Sequence, residues 1–242
     1  MREIALISNT VGVATDRTRE PHRDRSGRAL TDYPRPSVAV DTALLTLLPD
    51  EQGLPTLAVL EVRRQNGRGW GLPGTFLHQG EQLIDSVRRA LRDKAGVDGL
   101  QPRQLHVFDD PARDDRGWVL SVAHIDVVPL ARLDARLPNE TRVVPVGRSG
   151  RLPYGHGHII ELAVDHLRQR YRAAPDPDRL LPDEFTLREL RLVHEAVAGG
   201  ALQRDSFRRS LGHLLTGTRV LVSRGPGRPA ELFTRTQREG TS

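Results

Sequence analysis

Apolar and polar positions divide the chain into two differently patterned halves. Two β-rich apolar runs, Ser37 to Leu48 and Thr56 to Arg63, flank the turn-forming Pro49-Asp50-Glu51-Gln52-Gly53, which predicts a hairpin. A third run, Arg116 to Leu130, is too rich in valine and isoleucine to be an exposed edge strand. In "GHIIELAVDHLRQRYRAA" the apolar residues Ile159, Ile160, Ala163, Val164, Leu167 and Tyr171 recur at helical spacing. Strands and helices in this order predict an α/β domain spanning 36–173.

The second half reads differently. Residues 174–184, "APDPDRLLPDE", carry three prolines and read as a linker rather than an element. "TLRELRLVHEAVAGG" then places Glu189 three residues after Thr186, a capping box. An apolar stripe follows at Leu187, Leu190, Val193 and Val197, and two glycines end the helix. In "LQRDSFRRSLGHLL", Phe207, Leu211, Leu214 and Leu215 share one face, and Asp205, Ser206, Arg209 and His213 share the other. Two short strand-like runs around Gly225-Pro226-Gly227-Arg228-Pro229 complete a hairpin. Helix, turn, helix, hairpin is the order of a winged helix-turn-helix, expected over 185–236 with a tail at 237–242. Residues 1–35 are polar and arginine-rich with weak periodicity, and are expected to form a mobile arm or a small addition to the next domain.

Composition changes this picture in two respects. The 242 residues contain no cysteine, so disulfides and thiolate zinc sites are excluded, and no apolar stretch has the length of a signal peptide or membrane span. A cytosolic protein without membrane contact is expected. Lys94 is the only lysine, so nearly every positive side chain is an arginine. Between Arg204 and Arg238, eight arginines face only Asp205 and Glu231, a net +6 that exceeds the +5 of the whole chain. Such a segment suits a polyanion. The candidate DNA-binding residues are Arg204, Ser206, Arg208 and Arg209 on the second helix, with Arg224 and Arg228 in the hairpin; Arg228 is placed for a narrow minor groove.

The chemistry of the first half lies in "PGTFLHQGEQLIDSVRRALRDKAGV", residues 73 to 97. Glycines at 71, 74 and 80 let a loop pass close to a ligand, and the helix expected from about Glu81 offers its N-terminus to an anion. Positions 90, 93 and 94 lie at i, i+3 and i+4 on one helix face. Three carboxylates there would cage a magnesium ion against a pyrophosphate. The stretch resembles the Nudix box, G-x5-E-x7-R-E-U-x-E-E-x-G-U with U a bulky aliphatic. Glu81, Arg89, Leu91, Gly96 and Val97 fit, while Thr75 replaces the first glycine after Gly74. The three metal-binding carboxylates of the pattern correspond to Ala90, Asp93 and Lys94. Two lost carboxylates and a gained ammonium shift the charge by +3, each charge weighing roughly 1 to 4 kcal/mol against a dication. No metal, cofactor or catalytic residue is therefore expected, and Lys94 is a candidate point charge beside a phosphate, with a solvent-pointing lysine as the alternative.

Other candidates are Trp70, which can stack on a base or cap the core, and the "YGHGH" pair His156 and His158, more typical of a loop-to-helix junction than of a metal site. The acid-rich "DDPARDDRG" (109–117) is expected to be a solvated turn, with contact to a ligand or metal as the alternative. Together, "GWGLPGTFL", "DDPARDDRGWVLSVAHIDVVP", "LPYGHGHIIELAVDHL" and "FTLRELRLVHEAV…LQRDSFRRSL…GRPAELF", in one order from Pro36 to Thr236, resemble the Nudix-related transcriptional regulators. That resemblance implies a Nudix α/β/α sandwich with a mixed sheet followed by a winged helix, and a repressor in which a non-catalytic domain senses ADP-ribose or a related nucleotide or sugar. It also implies homodimers on palindromic double-stranded DNA. The expected ligand-binding residues are Trp70, Gly74, Arg89, Lys94, Arg116 and His156. Two departures are Gly155, where members often carry an acid, and Gln203, where a helix cap is usual. The alternative is a metal-dependent hydrolase of nucleoside diphosphate sugars using Asp93, Glu81 and acids of the 109–115 loop.

Overall fold

A computed structural model of the chain describes residues 22–64, 68–223 and 229–236. It divides into two units, residues 1–36 and 37–242. In the first, the Asp24 carboxylate accepts from the Ser26 and Arg28 amides and the Tyr33 hydroxyl, closing a turn where the polar composition suggested a mobile arm. Most of that arm, residues 1–21, lies outside the described residues.

The second unit opens with the expected hairpin, β1 (Ser37–Pro49) and β2 (Pro55–Arg63), paired antiparallel. Asp50 closes the turn by accepting from the Gln52 and Leu54 amides. Short strands β3 (Trp70–Gly71) and β4 (Gly74–Phe76) follow, then helix α1 (Leu83–Ala90), β5 (Arg103–Phe108), β6 (Val119–Val127) and β7 (Thr141–Pro145). Among the described residues these strands form one mixed sheet in which β1 runs parallel to β6 and antiparallel to β2 and β4. Strand β6 lies between β1 and β5, consistent with its unbroken apolar character. Alternate residues of β1 face opposite layers: Val40 and Leu44 pack with Val87 and Leu91 of the α1 side. Ala43 and Leu45 pack against helix α2 (His156–Ala173). All six residues of the expected α2 stripe are buried, and each large aliphatic among them contributes about 1.5–3 kcal/mol. The result is an α/β/α sandwich.

One local expectation needs correction. Helix α1 starts at Leu83, and its final turn widens into a π-helical turn over Leu91–Ala95 that ends at Gly96 in the left-handed region. A Cβ there would come within 3.0 Å of the Ala135 carbonyl oxygen, which explains the glycine. Of positions 90, 93 and 94, Ala90 is buried, while Asp93 is exposed and paired with Arg92 and lines one cavity together with Lys94. The stretch 174–184, read as a linker rather than an element, has no helix or strand and is fixed by its carboxylates. Asp176, fully buried at φ 47°, accepts from the Tyr171 hydroxyl and the Leu180 and Leu181 amides. Asp178 is held by Arg170 of α2 and Arg103 of β5.

The winged helix comprises β8 (Phe185–Thr186), α3 (Leu187–Ala198), α4 (Arg204–Leu211), β9 (Leu215–Val222) and β10 (Ala230–Arg235), with β10 pairing both β8 and β9. The Thr186–Glu189 capping box is formed, and Gly199 at φ 78° ends α3. The second helix is shorter than its apolar pattern implied, because Leu214 lies in a 3-10 turn and Leu215 begins β9. Both still pack on the core of Phe185, Leu190, Phe207 and Leu211, so the burial expected for them is met by another backbone path.

Candidate functional site

Between the sheet edge, α1 and the start of α2 lies a cavity of about 540 Å³. Its floor is set by Asp41, whose neighbour across the β1–β4 pairing is Gly74. A Cβ at residue 74 would fall 2.1 Å from Asp41 Oδ1 and 2.7 Å from the Val40 carbonyl oxygen, so only glycine fits. Asp41 accepts from Ser121 Oγ at 2.5 Å and from His156 Nε2 at 3.2 Å. The other ring nitrogen of His156, Nδ1, accepts from the Leu72 amide at 2.9 Å, which fixes the ring orientation. Burial alone would raise the Asp41 carboxyl, but the hydrogen bonds from His156 and Ser121 hold it below the usual carboxylate range.

Lys94 enters this cavity rather than pointing to solvent, and its ammonium donates to the Gly74 carbonyl oxygen. Burial lowers the ammonium below the usual lysine range, with Asp41 opposing the shift and Arg89 and Arg116 adding to it. Where the box pattern asks for a carboxylate, the chain thus places a cation next to Asp41. The residues present do not fit a dication. Ala90 supplies no ligand atom, Lys94 is positive, and three of the acids nearby are paired with arginines: Glu81 with Arg89, Asp114 with Arg116 and Asp93 with Arg92. No group of three or more His, Asp or Glu side chains among the described residues is arranged to hold a metal.

Of the sequence-derived ligand candidates, Gly74, Lys94, Arg116 and His156 line the cavity. Arg89 does not line it. Its guanidinium is spent on Glu81, Thr75 Oγ1 and the Phe76 carbonyl oxygen, fastening the loop to α1. Glu81 is correspondingly held below its usual range, chiefly by Arg89. Trp70 lies outside the cavity wall, packed under the guanidinium groups of Arg63 and Arg142 at 5.0 and 4.6 Å from its ring centre. His158 is exposed and paired only with Glu161.

Lining residues that no motif singled out include Asp41, Arg64 and Tyr154, while Arg113 belongs to the acid-rich stretch. The acid-rich turn is therefore more than a solvated loop, since Arg113, Asp114 and Arg116 all face the cavity. Tyr154, at φ 55°, is followed by Gly155 at φ 69°, two left-handed residues immediately before α2. Only the "YGHGH" stretch hinted at it.

The far end of α2 meets the winged helix. Tyr171 of α2, His194 of α3 and Phe207 of α4 stack edge to face at 4.9 and 5.0 Å, and Val193 and Val197 join the same apolar core as α2. On α4, Arg204, Ser206, Arg208 and Arg209 are exposed, while Phe207 and Leu211 are buried. Gln203 occupies the N-cap with no side-chain hydrogen bond, leaving that end open. Ser206 and Ser210 border a hollow of about 470 Å³ facing Arg168 and Arg172 of α2, so Ser206 sits on a different side of α4 from Arg209. Arg224 and Arg228 lie outside the described residues.

Comparison with known proteins follows this geometry. Residues 178–234 match the NrtR DNA-binding winged helix domain. The ADPR responsive transcriptional repressor NtrR of Acinetobacter baylyi is 28% identical over 190 residues, 75% of this chain and 74% of that protein. The crystal structure of Shewanella oneidensis NrtR complexed with a 27mer DNA is 30% identical, with 82% of this chain and 93% of that chain covered and a TM-score of 0.65. The chain belongs to the NrtR family. Its fold is that of the family, a Nudix-like mixed α/β sheet followed by a winged helix. A more distant similarity, 28% over 114 residues, covers 46% of this chain and 66% of an ADP-ribose pyrophosphatase from Methanocaldococcus jannaschii. Members of the NrtR family and hydrolases thus both lie within reach of this sequence. Among the described residues, no helix is long and apolar enough to cross a membrane.

Proposed function

We propose that this chain is an ADP-ribose-responsive transcriptional repressor. Its Nudix-like domain binds the effector without hydrolysing it, and its winged helix binds double-stranded DNA as part of a homodimer on a palindromic operator. The observation that carries this reading is the Lys94 ammonium seated on the Gly74 carbonyl beside Asp41, inside a cavity of nucleotide size. A site built this way has its own cation, covalently attached, where a hydrolase recruits one to activate water. Retaining the ligand intact is what a sensor requires.

Support for the DNA-binding half comes from the winged-helix match and from the exposed arginines of α4, which present a basic face while Phe207 and Leu211 anchor the helix. Arg204, Arg208 and Arg209 are assigned to DNA, with Ser206 at the α2-facing side and Arg224 and Arg228 in the hairpin. Gly74, Lys94, Arg116 and His156 are assigned to the effector site. The ADPR response of the Acinetobacter protein and the DNA complex of the Shewanella protein support the same division of labour. A tenfold to hundredfold change in operator affinity needs only about 1.4 to 2.7 kcal/mol of differential effector binding.

The deciding experiment is calorimetric titration of ADP-ribose in EDTA, paired with a gel shift on DNA from upstream of the gene and a product assay with Mg2+. Binding without metal, an altered gel shift and an intact ligand are expected. Turnover of ADP-ribose at ordinary enzymatic rates, or a gel shift indifferent to it, would refute the proposal.

A further inference from the structure

Five cationic side chains line the cavity: Arg63, Arg64, Lys94, Arg113 and Arg116. Three of them are already engaged. Lys94 is bound to Gly74 beside Asp41, and Arg116 makes two parallel hydrogen bonds, at 2.8 and 2.7 Å, to Asp114. Arg63 is turned toward the Trp70 ring and the Asn139 carbonyl. Arg64 and Arg113 have no carboxylate within ion-pairing distance among the described residues and, unlike Arg63, both hydrogen-bond Tyr154, over whose ring Arg116 also lies at 4.2 Å.

These two arginines come from separate loops, one after β2 and one between β5 and β6, and both converge on Tyr154. Arg64 donates to the Tyr154 hydroxyl at 2.9 Å and its guanidinium carbon lies 5.2 Å from the ring centre. Arg113 donates to the Tyr154 carbonyl oxygen at 2.7 Å. A guanidinium carries five N–H donors in a planar fork, so each retains most of its hydrogen-bonding capacity. Both are half-buried, where a charge is costlier than in water and an arriving anion is correspondingly better bound, although Asp41 and Asp114 offset part of the Arg113 charge.

We infer that Arg64 and Arg113, gathered on Tyr154, form the diphosphate-binding fork of the effector site, and that Lys94 serves chiefly to neutralise Asp41. The inference rests on the reading of the cavity as an effector site, and it moves the anion away from the Nudix-box helix. The chemical class recognised is a diphosphate diester, as in a nucleoside diphosphate sugar. Tyr154 immediately precedes Gly155 and the first residue of α2, so the same fork that holds the ligand grips the start of the helix leading to the winged domain.

The test is calorimetric titration of the full chain in EDTA with inorganic pyrophosphate and with ADP-ribose, for the wild type, Arg64→Gln, Arg113→Gln and Arg113→Lys. Thermal unfolding midpoints verify that each variant is folded. Each Gln variant is expected to lose about 10- to 100-fold in affinity for both probes, and Arg113→Lys, which keeps the charge but not the fork, is expected to lose less. Gln variants that bind both probes within about twofold of the folded wild type overturn the fork. A wild type that ignores ADP-ribose yet binds pyrophosphate through these arginines overturns the effector assignment and upholds the fork. A wild type that binds ADP-ribose equally well with Gln at either position does the reverse, and one that binds neither probe overturns both.

Discussion

Arg235, on the last strand, donates to the carboxylate of Asp176, a residue with no exposed surface. The same guanidinium reaches the Leu181 and Pro182 carbonyls and lies 4.8 Å from the Phe185 ring centre. One side chain thereby ties the wing to the segment joining α2 and α3. Replacing it, Arg235→Ala, leaves a buried carboxylate without its counter-charge and is expected to cost about 3–5 kcal/mol in denaturant unfolding. A cost below about 1 kcal/mol would show that the amides of Leu180 and Leu181 suffice.

Acid should weaken the same junction through His194. Burial pushes its imidazole down from 6.5 to about 4, with Asp176 opposing the shift. As pH falls below 6.5 the unfolded chain takes up a proton at this position, whereas the folded protein does not until about 4. The stability associated with a neutral His194 is therefore intact above pH 6.5 and is withdrawn between 6.5 and 4, by about 3 kcal/mol. Melting temperatures across that window should fall more steeply for the wild type than for His194→Gln, and parallel curves would contradict the assignment.

Charge at position 94 sets the metal requirement. Wild-type affinity for ADP-ribose is expected to be unchanged by Mg2+. Lys94→Glu brings a carboxylate to Asp41 and Asp93, so affinity in EDTA should fall by about tenfold or more and recover in part when Mg2+ is added. Titration calorimetry with and without the ion measures this directly, and a variant as tight as the wild type in EDTA would contradict the neutralising role.

On α4, the arginines should separate by function. Arg204→Ala is expected to weaken binding to all DNA sequences alike and to flatten the dependence of log affinity on log salt by about 1. Arg209→Ala should cost about 1–3 kcal/mol on the operator and less on unrelated duplex. Equal losses for both variants on both DNAs would place Arg209 on the phosphate backbone as well.

What the sequence revealed follows the range of the interactions involved. The capping box of Thr186 and Glu189, the α2 stripe and the Pro49–Gly53 turn depend on neighbours a few residues away, and each reads directly from the pattern. Asp41 with His156, and Asp176 with Arg235, are partners brought together only by the finished fold, so nothing near either residue marks them. Arg89 was misleading for a related reason: the box pattern locates it correctly on the helix but does not say that Glu81 and the loop consume its donors. The π-helical turn likewise has no local signature beyond Gly96.

Helix α2 spans 18 residues, roughly 27 Å at 1.5 Å per residue, with the ligand chamber at one tip and the aromatic stack at the other. Asp176 fixes the segment after the far end of α2, so the helix joins the two regions as one rigid rod. A tilt of about 5° at the Tyr154 tip would sweep the opposite tip through about 2 Å, the scale of helix shifts that serve as switches elsewhere. A rod of that length needs no melting and no slack tether to span the distance from chamber to winged helix.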